Sequence, residues 1–187
     1  INDVVDVLND IHLNNENLTP IPKKTLFAEN SMQEPIVYIL DYNMKQAEVL
    51  MLSKGNRLNM KNYPIIKLHN EYFGGGMSSI VFQEMRESKA LAYSVYSAYR
   101  IPSKMEDSHY AMSYIGTQAD KLSEAMKGMS NLLDTMPESQ LNLNNAKDAI
   151  VQKIRTERIT KTNFLSEYEK SKKMGIDYDP RKDLFEK

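Results

Sequence analysis

Cysteine is absent from all 187 positions, which excludes disulfide staples, thiolate catalysis and cysteine-ligated zinc. The absence does not fix a compartment, because oxidising and reducing settings both host cysteine-free proteins. No apolar run approaches the roughly 18 residues that a membrane-spanning helix needs. Charge of one sign is also missing: 24 Lys and Arg against 25 Asp and Glu leave a formal net charge of -1. That balance gives no reason to expect a nucleic-acid or anionic-membrane partner. The most basic stretch, residues 153–173, is interrupted by Glu157, Glu167 and Glu169 and reads as a solvated helix face. Histidine is scarce as well. His12, His69 and His109 fall in different segments, and neither H-x-x-E-H nor H-E-x-x-H occurs, the spacings that set two imidazoles on one helical face for zinc. All three read as structural or surface residues, so no hydrolytic machinery is visible in this chain by itself.

What is present is a globular composition, 41% hydrophobic and 26% charged, with length for one ordinary domain and a sizeable core. The sequence opens at Ile1 without a signal peptide, which reads as an excised or processed piece. Ile1, Val4, Val5, Leu8 and Ile11 make a helical stripe, and the Asn and Pro residues up to Pro22 read as a linker. The expected division is therefore 1–23 as leading helix and linker, and 24–187 as a single domain. "IVYILDY", residues 36–42, predicts a buried strand, with 46–54 as its neighbour across a tight connection at 43–45.

A helix is expected from Asn62, with Pro64 in its first turn and Ile65, Ile66, Leu68, His69, Tyr72 and Phe73 apolar, until Gly74, Gly75 and Gly76 stop it. Ser78 then caps a short helix through Met85. A hairpin follows, with strands at 93–101 and 109–117. Thr117 and Asp120 resemble a capping box ahead of the clearest helical pattern, Leu122 to Met136. Two more helices are expected, 139–158 and one capped at Thr162 that ends at Gly175. Paired strands among blocks of helices predict an α+β fold, a two-layer arrangement with a mainly antiparallel sheet against helices.

The glycine triplet is not a phosphate loop, because it follows a helix and lacks G-x-x-x-x-G-K-[ST]. It reads either as a helix stop that needs φ > 0 or as thin backbone where an extended substrate passes. Most of the twelve methionines lie on inward stripes as core filler. Arg86 and Tyr93, taken alone, are a surface charge near a helix end and a strand aromatic.

"SSIVFQEMRESKALAYS", Ser78 to Ser94, resembles the signature of the zinc-free half of the pitrilysin/insulysin family, the inverzincins, to which mitochondrial processing peptidase also belongs. "QAEVLMLSKG" from Gln46 and "NNAKDAIVQKI" from Asn144 are similar to the family's pattern, and the resemblance covers about residues 24–175. Ile80 and Val81 depart from it where arginine and leucine are usual. The resemblance implies a metallopeptidase built from paired homologous halves around a chamber. One half holds zinc through H-x-x-E-H, and the other, similar to this chain, holds none. By position, Arg86 and Tyr93 are implied to reach the substrate carbonyl and its oxyanion in trans to the zinc, with Gly75 and Gly76 in substrate binding. An extended peptide is expected to add to the edge of the hairpin 93–117. The implied partners are an H-x-x-E-H half, in the same chain or another subunit, and a peptide substrate. The residues leave the compartment open; a bacterial setting is expected, with periplasmic favoured over cytoplasmic. The chain is expected to stop short of the fold's closing strand. The alternative is a catalytically inactive scaffold or docking domain of the same fold.

Overall fold

A computed structural model of the protein describes residues 2–13, 19–23, 25 and 29–186. The chain divides into two compact units, Ile1–Ser31 and Met32–Lys187. The first contains helix α1, Asn2–Leu13, at the expected stripe, yet Val4, Val5, Leu8 and Ile11 are all exposed. Residues 14–18 of the expected linker lie outside the described residues.

The second unit is α+β. Strands β1 (Gln46–Arg57), β2 (Ser94–Arg100) and β3 (Ser108–Gln118) form an antiparallel sheet in the order β1-β3-β2. The β2–β3 hairpin is the expected one. Leu50, Tyr114 and Tyr96 share one row across the sheet, and Val49, Ile115 and Val95 share the next. Because side chains alternate along a strand, the second row enters the core and the first faces out. Val95 and Ile115 are buried, whereas Leu50 stays exposed and Tyr96 stacks on Tyr114 at 5.3 Å.

The helices supply the second layer: α2 (Tyr63–Phe73), α3 (Ile80–Phe82), α4 (Leu122–Asp134) and α5 (Gln140–Thr156). Tyr72, Phe73, Ile80, Val81, Met85, Ala125, Met129, Leu132 and Ala146 meet the sheet in one apolar cluster. Met85 and Met129 are fully buried, as their inward stripes predict. Helices α6 (Phe164–Lys173) and α7 (Arg181–Glu186) follow, the last beyond the expected end at Gly175. Gly175 has φ +70°, the left-handed C′ conformation.

Several local expectations change. Residues 36–42 form no strand, and Val37, Tyr38, Ile39 and Leu40 are more than four-fifths exposed. An apolar run meets the sequence criterion for a buried strand, but burial needs a neighbour. β1 takes β3 instead, so no described strand pairs with this segment. The connection after it does turn tightly, with Met44 N–H donating to Tyr42 O at 2.7 Å.

Ser79 rather than Ser78 caps α3, its Oγ accepting from Phe82 N–H at 3.4 Å. Thr117 does not cap α4; its hydroxyl donates to Leu91 O at 2.6 Å. The glycine triplet needs no positive φ. Gly74 is required by close approach, since a Cβ there would lie 2.2 Å from Ser97 O of β2. A Cβ on Gly75 would lie 2.6 Å from Asn70 O.

Candidate functional site

The site begins where α3 changes pitch. After one α-helical turn the chain widens into a π turn over Gln83–Ser88, with Lys89 N–H donating to Glu84 O five residues back. Such turns cost hydrogen-bond geometry and recur at functional sites. Val81 and Met85 anchor this turn in the core, so the next residue, Arg86, points outward with 46% of its side chain exposed.

The exit from the turn is fixed by its backbone. Leu91 N–H and Ala92 N–H both donate to Met85 O, at 2.8 and 3.2 Å, and Ala90 is held at φ +48°. Tyr93 N–H then donates to Gly116 O at 2.8 Å, which seats Tyr93 at the head of β2. The seven-residue interval is folded back on itself. The Arg86 guanidinium carbon lies 6.0 Å from the Tyr93 ring centre and 4.9 Å from that of Phe82. The cation thus lies over two aromatic rings, each attracting it through its π face. Its only ion pair among the described residues is with Glu87, at 3.7 Å and about half exposed, a weak contact in water.

The structure therefore brings Arg86 and Tyr93 together. They line a cavity of about 270 Å³ with Ala90, Thr117, Gln118 and Lys121. Gly75 and Gly76 do not line it. Gly75 is exposed and Gly76 half-buried in the α2–α3 loop. Phe82 stands four residues before Arg86, a helical spacing visible in the sequence that sets the two side chains on one face. Lys121 left no local signal, since its link is tertiary: Nζ donates to Ala90 O at 3.2 Å.

The hairpin edge offers little to an extended peptide. β3 is central and paired on both sides. On the outer edge of β2, Ser97 N–H donates to Gly74 O at 3.4 Å. Tyr99 is held at both backbone groups by Asn70, whose Oδ1 accepts from Tyr99 N–H at 2.7 Å and whose Nδ2 donates to Tyr99 O at 3.0 Å.

His69 stacks on Phe73 at 5.4 Å, and burial lowers its pKa. His109 is buried, stacks on Tyr99 at 5.0 Å and sets Nδ1 3.0 Å from Arg100 O. His12 is exposed on α1. Among the described residues no three His, Asp or Glu side chains cluster as metal ligands, and no helix is long and apolar enough to cross a membrane.

Fold and site together define an α+β domain that presents an exposed arginine–tyrosine pair. Residues 4–150 match the family described as Peptidase M16 inactive domain, and the chain belongs to that family. It is 39% identical over 93 residues to the uncharacterized zinc protease YmxG of Bacillus subtilis, covering 49% of this chain and 22% of that protein. It is 31% identical over 105 residues to the uncharacterized zinc protease SCO5738 of Streptomyces coelicolor, covering 56% of this chain and 22% of that protein. The chain thus matches about a fifth of the length of these relatives. Among solved structures, a peptidase M16 inactive domain from Pseudomonas fluorescens superposes with TM-score 0.62 at 18% identity, over 78% of this chain and 35% of that one. A protease from Helicobacter pylori gives TM-score 0.56 at 15% identity, over 76% and 38% of the two chains. Both likenesses concern the fold.

Proposed function

We propose that this chain is the zinc-free half of a zinc metalloendopeptidase. In this reading it forms one wall of the substrate chamber and supplies Arg86 and Tyr93 to a reaction whose zinc is held by an H-x-x-E-H half. The zinc of that other half would activate the water that attacks the peptide carbonyl. The residues here act on the opposite side of the substrate. Arg86 offers guanidinium donors and Tyr93 a phenol donor to the carbonyl oxygen as negative charge develops on it.

The observation that carries this reading is the held geometry of Arg86. A long, flexible cation lies over the rings of both Phe82 and Tyr93 while 46% of its side chain is exposed and its ion pair to Glu87 is weak. Fixing donors before charge develops is the arrangement that stabilises an oxyanion, and losing one donor typically costs about 10²–10³ in rate.

The test is cleavage by a protein containing this chain together with its H-x-x-E-H half. Arg86→Ala and Tyr93→Phe are each expected to lower kcat by about 10²–10³, with zinc content and fold unchanged. Chelator should abolish the wild-type activity. A protein that cleaves nothing, or variants that match wild type, would favour the scaffold function instead.

A further inference from the structure

The cavity beside Arg86 and Tyr93 has a one-sided charge. Two cations, Arg86 and Lys121, line it with Tyr93, Thr117 and Gln118, and none of its lining residues is acidic. The nearby backbone acceptors are already engaged: Lys121 Nζ donates to Ala90 O at 3.2 Å, and the Thr117 hydroxyl donates to Leu91 O at 2.6 Å. An ammonium has three donors, and one bond to a carbonyl leaves two for a ligand. Among the described residues, the ion pair of Arg86 is with Glu87, which is 53% exposed.

We propose that this cavity is a subsite for a carboxylate of the peptide substrate, with Lys121 as the residue that selects it. A volume of about 270 Å³ admits an Asp or Glu side chain or a chain terminus, and both present the same planar acceptor. Lys121 touches the substrate carboxylate and not the scissile carbonyl, so its effect falls on choice of peptide and on KM. The proposal rests on the peptidase reading above and adds a substrate class to it.

The experiment uses the protein containing both halves and two sets of fluorogenic peptides. In one, Glu or Gln stands at each of three positions on either side of the cleaved bond, with an amidated terminus. In the other, a fixed sequence ends in a free acid or an amide. Wild type is expected to prefer the carboxylate in one set by roughly fivefold in kcat/KM, the size of a partly exposed charge pair. That set identifies the source. Lys121→Gln should erase the preference, Lys121→Glu should invert it, and Lys121→Arg should keep it.

A purely structural Lys121, capping Ala90 O, would slow all peptides equally and leave the ratios unchanged. Unchanged ratios in Lys121→Glu, or no carboxylate preference in wild type, overturn the subsite. If Arg86→Ala and Tyr93→Phe are active at wild-type rates, the peptidase role of the pair falls and the subsite with it. If those two lose activity while the ratios ignore Lys121, the subsite alone falls.

Discussion

Ala90 carries positive φ, +48°, without being glycine, and it does so between the turn that holds Arg86 and the strand that holds Tyr93. An L residue pays about 1–2 kcal/mol for this conformation, because its Cβ crowds the following carbonyl. Glycine would remove that cost but lose about 0.5–1 kcal/mol in backbone entropy. Ala90→Gly is therefore expected to raise stability by roughly 0.5–1 kcal/mol, read as a higher urea midpoint at unchanged slope. A lower midpoint would mean that the alanine is not strained. Sequence alone could not locate this strain, since "SKALAY" contains no Gly, Asn or Asp, the residues that take up positive φ. It could pick out Arg86 and Tyr93, through the family resemblance, because their types and spacing stand in one contiguous motif. The placement of Phe82 and Lys121 beside the pair arises only in the folded chain. Phe82, half-buried, lies under the cation, and Lys121 arrives from a later element.

At the scale of elements, helices were the most legible features, because α4 and α5 carry regular three- and four-residue stripes that bury Ala125, Met129, Leu132, Ala146 and Ile150. Their caps were less legible. A serine or threonine near a helix start can serve elsewhere, as Thr117 does by bonding Leu91 O. The connection between α4 and α5 depends on a bond that no local pattern announces. The Tyr72 hydroxyl, from α2, donates to Pro137 O at 2.6 Å and accepts from Ser139 N–H at 2.9 Å. Ser139 in turn caps α5 by accepting from Asn142 N–H at 3.2 Å. A second tie joins the same helices where Lys153 meets Glu71 at 2.5 Å; the lysine is 63% exposed and the carboxylate 15%, so water screens the pair from the lysine side and keeps it modest. Tyr72→Phe keeps the buried ring and removes only the hydroxyl. It leaves an amide and a carbonyl without their partner, so it is expected to cost roughly 1–2 kcal/mol in denaturant unfolding. Lys153→Met should cost well under that. The reverse ranking would assign the α2–α5 contact to charge rather than to the buried phenol.

For the molecule as a whole, the instructive disagreement is "IVYILDY". A strand with one solvated face alternates apolar and polar side chains, whereas Ile36 to Leu40 are apolar on both faces, the pattern of a strand covered on each side. In this chain the segment is uncovered, with Ile39 at 91% and Val37 at 82% exposure. The sheet has two ends, and they differ. The outer edge of β2 is taken at Ser97 and Tyr99 by α2, while β1 has β3 on one side and no described strand on the other. Short segments that are β-prone, uncharged and exposed drive self-association, most readily beside an open strand edge. The chain studied by itself is therefore expected to associate with increasing concentration in sedimentation velocity. Val37→Lys with Ile39→Lys should suppress that association, because each charge must be desolvated to enter a strand stack. Since both side chains already face solvent, the double variant should shift unfolding by no more than about 0.5 kcal/mol per site. Loss of several kcal/mol would instead show that the segment is covered within the folded chain. Persistent association in the variant would move the sticky surface to the outer face of the sheet, where Leu50, Leu52 and Tyr96 are also exposed.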